Sequence, residues 1–131
     1  MASAVKIIAP SVAWILLALT AACSAASATD TVPTNADSAR RLAQTVASNG
    51  ACGNFEDYNF NRAKDTWVFT CQKQEMTFEI VAYGSEDARS AGIKTLDECC
   101  RTAYFVKNFY AVEIVAFGSD SADAALAPFR R

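Results

Sequence analysis

The chain predicts an α+β fold, a single small domain in which an antiparallel sheet of four or five strands carries helices packed mainly on one face. Three observations carry that expectation. Apolar residues recur at helical spacing around 39–46 and 88–100, and at a spacing of two in the runs 67–72, 76–82 and 103–117. Short polar joints at 72–75 and 107–108 divide the strand-like runs in the manner of hairpins. The order is helix, three strands, helix, one or two strands, helix, which groups strands into one sheet instead of alternating them as a parallel fold requires.

The first helix is expected to begin near Asp37, with Asp37 or Ser38 as its cap, and to bury Ala39, Leu42, Ala43 and Val46. The Asn49-Gly50 pair marks its end. Phe55 to Phe60 reads as an aromatic, weakly alternating strand. The next run, to Gln72, sets Trp67, Phe69 and Cys71 on one face, and the run from Met76 sets Met76, Phe78, Ile80 and Ala82 together. Ser85 caps a second helix whose first turn carries Glu86 and Asp87, where the helix dipole favours acids. Ala88, Ala91, Leu96 and Cys99 or Cys100 line its buried side. Gly92 weakens it by about 1 kcal/mol relative to alanine. The stretch AYFVKNFYAVEIVAF is the most strand-like of all, with Lys107-Asn108 as the turn between two short strands. On the second of these, Tyr110, Val112, Ile114 and Ala116 share one face, and Lys107, Phe109 and Glu113 fall on the other. A short last helix over 121–127 stops at Pro128.

The N-terminus is of a different kind. Lys6 is the only charge before Asp30, and it precedes a dense apolar core over 12–19. That core fits a signal peptide and is too short to cross a bilayer about 30 Å thick. A run of uncharged residues from Ile7 to Thr29 leaves a retained anchor as an alternative, diluted by Pro10 and by small polar residues. Leu19, Thr20, Ala21 and Ala22 lead into Cys23. This resembles the lipobox of bacterial lipoprotein precursors, with Thr20 standing where that motif usually has Leu. The resemblance implies a lipoprotein-type signal peptide over 1–22, removal of that segment, and lipidation of Cys23. The competing cleavage follows the Ala26-Ser27-Ala28 triplet and would release a soluble secreted protein. Residues 23–36 read as a flexible tether and 37–131 as the extracytoplasmic domain. The whole pattern also resembles short actinobacterial-type lipoproteins of unknown function, in a Cys after the first helix, a second Cys on a strand, and a late aromatic strand pair. That likeness implies a fold and an address on the outer face of the cell membrane, and it brings no catalytic residues.

Composition narrows the chemistry. Beyond the leader, 11 basic residues face 14 acidic ones, which gives no electrostatic footprint for nucleic acid. The absence of histidine removes the commonest general base, the Ser-His and Cys-His nucleophile pairs and every His-containing zinc site. The adjacent acids Glu56-Asp57 and Asp97-Glu98 are better read as solvated surface than as an acid/base pair. No metal site and no cofactor is expected.

With Cys23 set apart, Cys52, Cys71, Cys99 and Cys100 remain, an even count that in an exported domain suggests disulfides. Three pairings are open. Cys52 with Cys71 is favoured, because a cysteine just past a helix can staple it to a neighbouring strand, and Cys99-Cys100 stands as a further candidate pair. The expected role is that of a non-catalytic, membrane-tethered domain binding a protein or small ligand, with Phe105 and Phe109 as partner-binding candidates on the outer face of the sheet. The alternative is a thiol-disulfide or redox-sensing protein working through Cys99-Cys100.

Overall fold

The computed structural model describes residues 29–58, 63–99, 103–118 and 121–131. The first helix, α1 (Ala36–Asn49), starts one residue earlier than its spacing suggested, because Asn35 is the cap. The Asn35 side chain accepts from the Ser38 amide at 2.9 Å while Ser38 Oγ accepts from the Asn35 amide at 3.0 Å, a reciprocal capping box. Ala39, Leu42, Ala43, Val46 and Ala47 form its buried stripe.

Five strands follow in one antiparallel sheet: β1 (Gly53–Tyr58), β2 (Thr66–Lys73), β3 (Met76–Tyr83), β4 (Tyr104–Lys107) and β5 (Tyr110–Ala116), in spatial order β1-β2-β3-β5-β4. Between β3 and β4 the chain forms α2 (Glu86–Cys99), and it ends in α3 (Ala122–Leu126) and a 3₁₀ turn, Ala127–Arg130. The α+β class and the single five-stranded antiparallel sheet are those the sequence predicts. Two of the three helices, α1 and α3, lie with the 3₁₀ turn on one face, against Phe69, Cys71, Phe78, Ile80, Ala82, Tyr110, Val112 and Ile114. Phe129 closes that core, stacking obliquely on Phe78 at 4.7 Å between ring centroids. The second helix lies on the opposite face, over a smaller cluster of Val81, Tyr83, Leu96 and Ala111.

Two details of register differ from the sequence reading. Lys107 pairs with Tyr110, so the turn residues are Asn108 and Phe109, one place later than expected, with Asn108 in the left-handed region at φ 51°. Directly opposed residues share a face, so the two-residue turn sets Phe105, opposite Val112, and Lys107, opposite Tyr110, on the α1 side. Farther along, Thr77 pairs with Ala116 but Phe78 with Ile114, a bulge that inserts Val115 into β5. Ala116 therefore leaves the apolar series of Tyr110, Val112 and Ile114 and is exposed.

The N-terminal segment is held from Thr29 onward. Asn108 Nδ2 donates to Asp30 Oδ1 at 2.8 Å and to the Thr29 carbonyl at 3.4 Å, and Pro33 is buried. Residues 29–35 are thus part of the domain and not of a free tether. The leader and Cys23 lie outside the described residues. Among the described residues no helix is long and apolar enough to cross a membrane.

Candidate functional site

The second face of the sheet is built from side chains that alternate with the main core. It carries Val68 and Thr70 on β2, Glu79, Val81 and Tyr83 on β3, Ala111 and Glu113 on β5, and Tyr104 on β4. Above it, α2 presents Ala88, Ala91, Gly92, Thr95 and Leu96, which recur at the spacing of one helical face. Most of these are small. Leu96 alone reaches into the buried cluster, and the space left between helix and sheet is a cleft of about 790 Å³. That volume suits a small-molecule ligand.

Local contacts fix the helix at this distance. Ser85 Oγ accepts from the Ala88 amide at 3.1 Å, and Arg89 Nε donates to the Asn108 carbonyl at 2.7 Å, which latches the first turns of α2 to the β4–β5 turn. Tyr83 donates its amide to the Phe109 carbonyl at 2.8 Å. Gly92 is required by close approach: a Cβ there would overlap the Tyr83 ring, which is 1 % exposed. Bulk on both sides of the cleft is therefore excluded at one end by Tyr83 and missing at the other.

Two glutamates stand on the cleft floor. Glu79 and Glu113 are directly opposed across β3 and β5, so their carboxylates extend from neighbouring positions on the same face. Glu113 is 8 % exposed. Burial, and then the negative charge of Glu113, push the Glu79 carboxyl above the ordinary carboxylate range. The same two causes, burial first, push the Tyr83 hydroxyl up to about 12. Tyr104, opposite Glu113 on the edge strand, donates its hydroxyl to Asp97 Oδ1 at the far end of α2, and that bond raises its own pKa.

The sequence candidates are distributed differently. Cys52 and Cys71 are joined by a disulfide with 5.7 Å between Cα atoms, clamping the end of α1 to β2 on the other face of the sheet. Cys99 ends α2, and Cys100 lies outside the described residues. Phe105 and Phe109 do not form one patch. Phe105 packs on the α1 side, edge-on to Tyr110 at 6.2 Å and under the Arg130 guanidinium at 5.1 Å. Phe109, half-buried in the turn, packs against the cluster beneath α2. The expectation of a shared outer face fails because a two-residue turn sets Phe105 opposite Val112, in the core series, while α2 covers the face on which Phe109 lies. Glu56 and Asp57 are exposed on β1, with Asp57 paired to Arg40 at 2.9 Å, and Glu98 lies 4.0 Å from Lys94 on α2.

No family model, curated protein or solved structure matches this chain. Among the described residues no group of three or more acids or cysteines is placed to hold a metal ion. Sequence reasoning passed over Glu79 and Glu113 as a pair, though a signal was present. Each opens the tetrapeptide Glu-Ile-Val-Ala inside an otherwise apolar strand, at 79–82 and at 113–116. A carboxylate in such a run costs free energy to bury, and two of them at matching places ask for a common purpose.

Proposed function

We propose that this protein is an exported, membrane-tethered binding domain whose cleft between α2 and the sheet takes a small molecule with an apolar body. The observation that carries the reading is the cleft itself: about 790 Å³, floored by Val68, Val81 and Tyr83 and roofed by the small residues of α2. A helix that packed only for stability would bring large apolar side chains to this face, because filling such a space is worth several kcal/mol. Small residues there hold the space open.

The address rests on the N-terminal sequence. The lipobox-like run into Cys23 supports an acylated cysteine on the outer face of the membrane, and the Cys52–Cys71 bridge is in keeping with an oxidising compartment. Binding is favoured over turnover because the chain has no histidine, the residue most often used to move protons at neutral pH.

Two measurements test the two halves. Intact mass of the protein from membranes of the exporting cell should show acylation at Cys23, and a mature species beginning at Thr29 would refute the anchor. An environment-sensitive apolar dye should bind the domain with 1:1 stoichiometry. Ala91→Trp, at an exposed position on the roof, should block it. Undiminished dye binding by Ala91→Trp would place the dye elsewhere and remove the support for the cleft.

A further inference from the structure

We infer that the N-terminal segment and the cleft are coupled through the β4–β5 turn. A ligand beneath α2 tightens the hold on residues 29–33, and release of those residues weakens the ligand. The inference rests on the cleft being a binding site and adds how that site is regulated. Asn108 joins the two regions within one residue. Its side-chain amide donates to Asp30 Oδ1 at 2.8 Å and to the Thr29 carbonyl at 3.4 Å, while its own carbonyl accepts from Arg89 Nε at 2.7 Å. Arg89 stands on α2 beside the roof residue Ala88, and its Nη1 lies 3.3 Å from Glu86 Oε1, which orients the guanidinium from its own helix.

The same segment braces the entry to α2 at a second point. The Pro33 carbonyl lies 3.2 Å from where a Cβ on Gly84 would stand, and Gly84 directly precedes Ser85, whose hydroxyl caps the helix. Farther along, α2 has little to rest on. Leu96 alone among its described side chains is buried, so the height of the helix over the sheet depends on the polar fixings at its start. Asn108 holds a left-handed φ of 51°, which its short polar side chain sustains through a local bond. Without Asp30 that bond goes, the turn loosens, and the carbonyl that receives Arg89 moves with it. A ligand under α2 acts in the opposite sense: it fixes the helix, then Arg89, then the partner of Asp30. Linkage makes the two effects equal in free energy. A pull on this segment from a lipid on Cys23 would thus lower the affinity of the cleft.

The test titrates Nile red, a neutral environment-sensitive dye, into the exported protein and its variants. Asp30→Ala should weaken the dye about five-fold, the lower end of ordinary coupling between sites, although Asp30 does not line the cleft. Asp30→Asn keeps an oxygen to accept from Asn108 and should restore most of the affinity. Arg89→Ala should weaken the dye similarly, and adding Asp30→Ala to it should cost little more, because both act through one latch. Asp57→Asn, on β1 and paired with Arg40, should leave the affinity unchanged. NMR relaxation should show the backbone of 30–32 stiffening when the dye binds the unaltered protein, and no stiffening in Arg89→Ala. Full dye affinity in Asp30→Ala, losses that simply add in the double variant, or a backbone at 30–32 indifferent to the dye each overturn the coupling and leave the cleft as a binding site. Absence of dye binding to the unaltered protein overturns both.

Discussion

Glu79 bears the cost of the site most directly, and its titration makes that cost measurable. Its folded-state pKa is raised above the ordinary value of 4.5, by burial and then by Glu113. A group shifted in this direction adds stability below its unfolded pKa, and that contribution is lost as the pH rises through the folded value. Glu79→Gln should therefore stabilise the protein at pH 7 by a few tenths of a kcal/mol to about 1 kcal/mol, the scale of an opposed like-charge pair. The gain should shrink as the pH falls through the raised folded value and be gone below 4.5. Denaturant midpoints of both proteins at pH 7 and pH 4 check this, and a variant less stable at pH 7 would show Glu79 to be a structural support. Gly92 gives a second test at this scale. In an exposed helix, glycine to alanine gains about 1 kcal/mol. Here the added methyl meets the buried Tyr83 ring, and forcing bulk into a packed contact costs about 1–3 kcal/mol. Gly92→Ala is expected to lower the unfolding midpoint, and a raised midpoint would mean that α2 can lift from the sheet freely.

Between elements, the disulfide carries the clearest energetic role. Cys52 follows α1 directly and Cys71 lies buried on β2, so the bridge closes a loop of 19 residues separation around the first strand. Removing both cysteines as Cys52→Ala with Cys71→Ala should cost roughly 3 kcal/mol in the chain-entropy account, read as a fall in the denaturant midpoint. This pairing was legible in the sequence because a cysteine immediately after a helix and one on the inner series of a strand both point at the same core. The helices and β2–β3 were legible for the same reason: their apolar period repeats over enough residues to fix the face. What escaped was set by how strands pair across turns and bulges. A two-residue turn sets the odd-numbered residues of β4 opposite the even-numbered ones of β5, so Phe105 joins the core series, and the bulge at Val115 ends the apolar series of β5. The opposition of Glu79 and Glu113 escaped for a related cause, since it exists only once β3 pairs with β5 across an intervening helix. Phe109 shows the consequence. Expected to lie outside any core, it packs against the cluster beneath α2, and Phe109→Ala should cost roughly 1–2 kcal/mol, less than the full burial of a phenylalanine commands. A change under 0.5 kcal/mol in the same midpoint assay would return it to the surface.

For the molecule as a whole, the pinned N-terminal segment would dictate an orientation at the membrane were Cys23 lipidated as proposed. Asp30 is held by Asn108 at the end of the sheet where the β4–β5 turn lies, and the Pro33 carbonyl and the Trp67 ring both approach Gly84 at that same end. If the lipid sits on Cys23, only six residue steps separate it from Thr29, a reach of about 20 Å at full extension. The opposite end of the sheet, at the turn after Lys73, is displaced from this one by the eight residues of β3, about 27 Å. A lipid anchor on so short a lead therefore keeps the Asn108 end against the headgroups and turns the other end outward. Trp67 would report on this directly, because the chain's other tryptophan, Trp14, falls in the proposed leader and would be removed with it. Energy transfer from Trp67 to dansyl-labelled lipid headgroups should be efficient in reconstituted vesicles. A Gly-Ser insertion of about 20 residues between Ala25 and Ala26 should reduce it sharply, since a flexible chain of that length adds roughly 25 Å of mean reach. Transfer that is weak from the outset, or unchanged by the insertion, would show that the short lead does not set the distance and that the anchor lies elsewhere than Cys23.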